Sequence, residues 1–336
     1  MENSSENLSY PPIFRPSDVH HRGVETHGLM GPEASGPNHD IPAIDLENLI
    51  DQENLEEACR NWGIFRAINH GIPETLFGQL LEHAKKVFLL DFETKRDLFK
   101  SPVTYFWGSP ALTQEGETIN EGNIDWVEGF NFPLSQLFHL PIEQDPNIRT
   151  FRVLLEEYGM HQSRLAKTIF QAMAKNLNLS PMQVNDYLSL KTGFIRVYRY
   201  PQYYSDSSKI WGMNPHTDSS VLSIIGHDDV GGLQIKKDHS WLDVKSKCES
   251  LVVNVGDMMQ AMSNDKYKSV RHGVRVNNKK ERISIGYFVF PAEECVIKSD
   301  IYRPFTYSDF HKQVQEDLLT KGFKVGLQNF LLTKAP

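Results

Sequence analysis

The stretch Pro215-His216-Thr217-Asp218-Ser219-Ser220-Val221-Leu222-Ser223-Ile224-Ile225 joins two chelating side chains to an apolar run. Side chains of an extended chain alternate between faces, so His216 and Asp218 should point one way and Thr217 the other. Residues 219–225 read as a core strand. Their surroundings have the same texture. Residues 194–200, 232–236, 241–244, 251–255, 273–277 and 282–290 are short runs rich in β-branched and aromatic residues. Turn residues such as Gly231-Gly232 and Lys237-Asp238-His239-Ser240 separate them. Many short strands at regular spacing indicate a sandwich or barrel.

Upstream the pattern is helical. Residues 147–178 carry Leu154, Tyr158, Leu165, Ile169, Met173 and Leu177 at spacings of four and seven, one buried stripe. Residues 76–99 read as a further helix, and Ser180-Pro181 has the cap and first-turn proline of another. Short strands are expected at 41–46 and 62–71, and a C-terminal helix at 307–322. The organisation expected is an α+β chain. An arm, 1–40, is disordered or loosely docked; a mainly helical part, 41–192, packs on a strand-rich part, 193–300; and 301–336 forms a helix and tail. His20, His21, His27 and His39 lie in the arm and read as solvated histidines.

Composition narrows the function classes. A net charge of −8 gives no basic footprint for nucleic acid or an anionic membrane. Three cysteines, Cys59, Cys248 and Cys295, without CxxC spacing, argue against a disulfide framework or a thiolate zinc site. No apolar run is long enough to span a bilayer, and the N-terminus has no secretory pattern. A cytosolic monomer is expected, with the nucleus as an alternative compartment.

With 13 histidines in the chain, a His-x-Asp pair is weak evidence by itself. A decoy, His227-Asp228-Asp229, sits in a polar turn, whereas His216 and Asp218 lead into a core strand. His272 supplies a third ligand, supported by Arg282-Ile283-Ser284 ten residues on. There Arg282 and Ser284 share one strand face, while Ile283, Ile285, Tyr287 and Val289 form the apolar other face. Two histidines and a carboxylate make the facial triad of non-haem iron(II), with open positions for a two-oxygen chelate and dioxygen. Charge is consistent with this: a dianionic 2-oxo diacid on iron(II) and Asp218 leaves one negative charge, which Arg282 neutralises. Arginine matches a carboxylate with paired hydrogen bonds.

At these residues the chain resembles the plant 2-oxoglutarate- and iron(II)-dependent dioxygenases, from about residue 41 to 332. The motifs are Ile41-Pro42-Ala43-Ile44-Asp45-Leu46, Asn69-His70-Gly71-Ile72-Pro73, Pro215-His216-Thr217-Asp218, Val253-Asn254-Val255-Gly256-Asp257 and Tyr267-Lys268-Ser269-Val270-Arg271-His272. The resemblance implies a double-stranded β-helix, or jelly roll, with iron on His216, Asp218 and His272. It also implies that Arg282 and Ser284 take the distal carboxylate of 2-oxoglutarate, with Tyr200 reaching the cosubstrate. Dioxygen is then consumed, 2-oxoglutarate becomes succinate and carbon dioxide, and ascorbate supports activity.

The tail, Phe305-Thr306-Tyr307 and Lys324-Val325-Gly326-Leu327, is similar to that of the gibberellin oxidases, nearest to those acting on C20 gibberellins as 2-oxidases. The expected substrate is therefore a gibberellin-like acid, most simply hydroxylated. Flavonoids, auxin or another plant metabolite are alternatives, and a non-catalytic jelly-roll binder is a third. Three departures bear on substrate and position of attack: Tyr198-Arg199-Tyr200-Pro201-Gln202 in place of Asn-x-Tyr-Pro-Pro, Met262, and Ser219-Ser220-Val221. Trp107, Phe130, Phe132, Val221 and Phe290 are the candidate substrate-lining residues, ordinary core packing being their alternative role.

Overall fold

The computed structural model describes residues 8–15, 40–49, 52–108, 125–140, 145–203, 210–247 and 249–332. The four arm histidines lie outside these residues, whereas part of the arm is docked. Phe14 is buried among Trp107, Trp126, Ile210 and Val276.

The strands are β1 (Ala43–Asp45), β2 (Ile64–Ile68), β3 (Thr104–Trp107), β4 (Glu128–Pro133), β5 (Ser189–Tyr200), β6 (Trp211–His216), β7 (Leu222–His227), β8 (Leu233–Lys237), β9 (Ser240–Asp243), β10 (Leu251–Val255), β11 (His272–Arg275), β12 (Arg282–Phe290), β13 (Val296–Ile297) and β14 (Phe305–Thr306). One sheet has eight strands in the order β1-β2-β10-β7-β12-β5-β4-β3, a second has four in the order β6-β11-β8-β9, and β13 pairs with β14. Tyr198, Tyr200, Val252 and Phe288 of the large sheet share one buried cluster with Leu233, Ile235 and Val274 of the small sheet. That cluster is the interior of the jelly roll.

The large sheet's other face carries the helices. Every residue of β12 is buried, because both faces are covered. Ile283, Ile285, Tyr287 and Val289 join the helical core, as alternation requires. The helices are α1 (Gln52–Glu57), α2 (Glu74–Phe88), α3 (Phe92–Leu98), α4 (Pro146–Asn176), α5 (Pro181–Tyr187), α6 (Asp257–Met262) and α7 (Tyr307–Lys321). The stripe expected on α4 buries Leu154, Tyr158, Leu165, Ile169 and Met173. Asp145 caps its first turn by accepting from the Asn147 amide at 2.7 Å. Capping boxes start α5 at Ser180 and α7 at Thr306.

One local expectation needs correction, and three further elements had no clear signal in the sequence. Residues 76–99 form two helices, not one. Lys95 of α3 turns its ammonium back onto the Phe88 carbonyl at 2.8 Å and onto Glu128 at 2.8 Å, satisfying the end of α2. The aromatic segment 101–140 contains β3 and β4, of which Tyr105, Phe130 and Phe132 pack on the helical side. Residues 211–216 form β6, hidden in the sequence by Gly212 and Pro215. Finally, α6 follows β10 directly, a six-residue helix too short for a periodic signal.

Candidate metal centre and cosubstrate pocket

His216 ends β6 and His272 begins β11, and the two residues are paired across the ladder. Their rings lie 4.5 Å apart between centroids. Asp218 Oδ1 is 3.6 Å from His216 Nε2 and 3.7 Å from His272 Nε2. These separations are too long for hydrogen bonds and suit three ligands around one ion. Asp218 and His272 are 7% and 6% exposed, and His216 is half-buried.

Backbone carbonyls set the imidazole tautomers. His216 Nδ1 lies 2.7 Å from the Asn214 carbonyl and His272 Nδ1 3.1 Å from the Val270 carbonyl. A carbonyl only accepts, so each Nδ1 donates and each Nε2 presents a lone pair to the metal position. Burial pushes the Asp218 carboxyl up, but the His272 and His216 rings beside it outweigh this and hold it far below its ordinary range. It remains a carboxylate, as a ligand must.

Asp218 does not lie in the strand with His216. It sits on the loop after β6, and its placement comes from elsewhere in the chain. The amides of Asp257 and Met258, which open α6, donate to the carbonyls of Asp218 at 2.8 Å and Ser220 at 3.2 Å. Gly256 is required here, since a Cβ would collide with the Ser220 carbonyl. Asn254 Nδ2 donates to Asp218 Oδ2 at 3.2 Å, leaving Oδ1 toward the histidines. Asn254 and Asp257 belong to a motif visible in the sequence, but their role depends on this loop packing and is not readable from spacing.

The other half of the site lies along β12. Arg282 is 3% exposed and is paired in register with Tyr200, and Ser284 with Tyr198. Arg282 Nη1 donates to the Gly231 carbonyl at 2.8 Å, and Asp228 Oδ1 is 4.0 Å away. Its Nε is buried without a hydrogen-bond partner. An unsatisfied guanidinium donor in an apolar interior is costly unless an anion receives it, so this corner fits an acidic ligand.

Two family models match the chain: the 2OG-Fe(II) oxygenase superfamily over residues 180–291, and the non-haem dioxygenase N-terminal region, named for morphine synthesis, over residues 41–151. The chain belongs to the 2OG-Fe(II) oxygenases. It is 35% identical over 306 residues to gibberellin 2-beta-dioxygenase 8 of Arabidopsis thaliana, covering 87% of each chain. Gibberellin 2-beta-dioxygenase 6 of Oryza sativa subsp. japonica is 31% identical over 326 residues, covering 90% of this chain and 88% of that one. Among solved structures, JOX2 in complex with 2OG, Fe and JA superposes with a TM-score of 0.73 at 26% identity, over 92% of this chain and 96% of that one. The rice dioxygenase for auxin oxidation gives 0.71 at 24% identity, over 87% and 100%, and bears on the fold alone.

As an oxygenase of this family the protein uses iron(II) and 2-oxoglutarate, and His216, Asp218 and His272 are the described residues that can hold the ion together. The decoy pair is separate from them. His227 is the buried last residue of β7, facing Ser284 across the ladder, and Asp228 Oδ2 accepts from the Ile283 amide at 2.5 Å. His227 thus lies in a strand and not in the expected turn, and the turn that follows it supports the Arg282 corner.

The five candidate lining residues divide. Phe290 belongs to the jelly-roll interior, against Phe194 and Tyr307. Phe130 and Phe132 are fully buried on the helical side with Phe88, Phe99 and Phe151. Val221 packs in the same helical core, and Trp107 beside the docked arm. Sequence alone does not say which face of β4 meets the helices, and that face decides the first two.

Proposed function

We propose that the protein oxidises a gibberellin-type acid, most simply by hydroxylation, with iron held by His216, Asp218 and His272. The distal carboxylate of 2-oxoglutarate is received by Arg282, with Ser284 and Tyr200 beside it. The observation that carries this reading is the convergence, in one interior, of a metal-spaced His-Asp-His set and a buried arginine donor with no partner. The similarity to several gibberellin 2-beta-dioxygenases, at 31–35% identity over most of the chain, supports the substrate class.

The bound iron supplies dioxygen chemistry, in which 2-oxoglutarate is decarboxylated to succinate and carbon dioxide as a substrate C–H bond is oxidised. The protein's part is placement. His216, Asp218 and His272 would hold the ion, and the chemistry it would supply needs both cosubstrate and dioxygen. Nδ1–H groups held by backbone carbonyls orient both rings so that each Nε2 faces the metal position. Arg282 neutralises the cosubstrate's remaining charge through charge-assisted hydrogen bonds. Aromatic lining from Phe288 and Phe290 keeps water from the reacting centre. We propose a monomer acting in the cytosol or nucleus, with ascorbate sustaining turnover; no helix among the described residues is long and apolar enough to cross a membrane.

A gibberellin mixture incubated with the protein, iron(II), ascorbate and 2-oxoglutarate tests the reading. Mass spectrometry should find a product one oxygen heavier, in step with succinate. Succinate release driven by another plant acid, with gibberellins untouched, would move the enzyme to a different substrate.

A further inference from the structure

We propose that Asp125 is a positioning residue for the metal ligand His216: it anchors an irregular stretch of β6 whose shape aims the imidazole. This rests on the oxygenase reading above, which makes His216 a ligand.

The need for an anchor is built into β6. His216 is paired with His272, yet Val274, two residues along β11, is paired with Met213. Two steps on β11 thus span three on β6, the first of two slips in this ladder. The stretch left over is Asn214-Pro215. A bulge of this kind bends its strand and re-aims the side chains beside it. Proline has no amide to give a ladder, so the irregular stretch has one donor fewer to hold it in place.

Asp125, just before β4, supplies the hold from outside the small sheet. Its Oδ1 accepts from the Asn214 amide at 2.8 Å and from Asn214 Nδ2 at 2.7 Å. Gripped by backbone and side chain together, Asn214 presents its carbonyl to His216 Nδ1 at 2.7 Å. Asp125 is fixed in turn. Its carbonyl accepts from the Val127 amide at 2.9 Å, and the Trp126 amide donates to the Trp211 carbonyl, at the start of β6, at 3.3 Å. Trp126 Nε1 donates to the Pro201 carbonyl at 3.1 Å, and Phe14 of the docked arm meets the indole edge-on, 5.2 Å between centroids.

Asp125 is 5% exposed, and no lysine or arginine among the described residues pairs with it. Burial pushes its carboxyl up to about 7, against the pull of the Asn214 donors and the His216 ring. A buried carboxyl without a cation is costly, and the bonds that offset the cost are made two residues from a ligand. Outer partners that orient a ligating imidazole typically matter about 10- to 100-fold for metal affinity.

The test is isothermal titration of the metal-free full-length protein with cobalt(II), whose visible absorption also reports ligand geometry, beside denaturant unfolding of the same protein. Asp125→Ala should bind cobalt about 10- to 100-fold more weakly than wild type, with an altered spectrum. Asp125→Asn keeps an acceptor oxygen for both Asn214 donors and should restore most of the affinity and the wild-type spectrum. Asn214→Ala loses one of the two bonds and serves if Asp125→Ala does not fold. It should weaken cobalt about 3- to 10-fold.

Wild-type cobalt affinity and spectrum in folded Asp125→Ala, or in Asn214→Ala, would overturn the proposal. So would Asp125→Asn as weak as Asp125→Ala, which would place the effect in the charge and not in the bulge. Affinity losses that merely follow the unfolding free energy across the three variants would overturn it too. His216→Ala keeps the two readings apart. If it binds cobalt like wild type, the ligand assignment fails; if it loses cobalt while Asp125→Ala does not, only the role of Asp125 fails.

Discussion

Lys324 Nζ lies 2.6 Å from Asp257 Oδ2, so a side chain near the C-terminus is ion-paired to the residue whose amide holds the Asp218 carbonyl. The same ammonium donates to the Thr217 carbonyl and the Ser219 hydroxyl, each at 2.8 Å. Thr217 completes the circuit, its hydroxyl donating to Asp257 Oδ2 at 3.2 Å. The metal loop is thus clamped between α6 and the segment after α7. Both partners are largely buried, at 12% and 5% exposure, so deleting one strands the other. Lys324→Met should cost about 3–5 kcal/mol of stability and raise the iron(II) concentration needed for half-maximal activity. Chemical denaturation and iron titration measure the two effects, and the double variant with Asp257→Asn should regain part of the stability. An unaltered iron requirement in a stable Lys324→Met protein would remove the clamp from the metal loop.

His216→Ala and Asp218→Ala should each abolish turnover and reduce iron retained after desalting. His227→Ala should behave differently. It should keep its iron, because His227 is not in the metal group, yet lose about 1–3 kcal/mol of stability, because a buried side chain between β7 and the Arg282 corner is removed. Iron content by elemental analysis, read beside the unfolding midpoint, separates the cases. Iron loss in His227→Ala equal to that in His216→Ala would place the metal elsewhere.

This contrast shows how far the sequence could be read. The grouping of His216, Asp218 and His272 was anticipated from the strand pattern around His216 and Arg282, and the three side chains do lie together. Asp218 joins the cluster for a reason the spacing did not show: it lies beyond the strand, aimed by α6, Asn254 and the clamp of Lys324 on Thr217, 107 residues apart in the chain. A sandwich or barrel was legible from short alternating runs, and the family resemblance implied the jelly roll, whereas β3 and β4 were not legible, since their aromatic residues suit a pocket lining as well as a core. The orientation of β4 turned Phe130 and Phe132 toward the helices.

Arg282→Lys retains the charge at the end of β12 but loses the planar fork and the buried Nε. The 2-oxoglutarate concentration for half-maximal rate should rise about 10- to 100-fold, matching the loss of paired, charge-assisted hydrogen bonds. Iron binding, measured without cosubstrate, should stay near wild type, because Arg282 touches none of the three ligands. Initial rates across a 2-oxoglutarate series decide the matter; an unchanged requirement would mean that the anion is held elsewhere.

His227 also gives the fold a pH dependence of definite sign. Burial, and then the Arg282 charge facing it, push its imidazole down to about 4 from the ordinary 6.5. Between those values the unfolded chain binds more protons at this site than the folded one, so stability rises with pH across the window. As pH falls from about 6.5 toward 4, wild type loses stability at this site, at most about 3 kcal/mol for the full shift. His227→Gln has no proton to take up. Its unfolding free energy should fall less than that of wild type between pH 7 and 4.5, while the carboxylates contribute alike in both proteins. Denaturant melts of the two proteins at both pH values measure the difference, and parallel losses would show that His227 is protonated in the folded state as easily as in the unfolded chain.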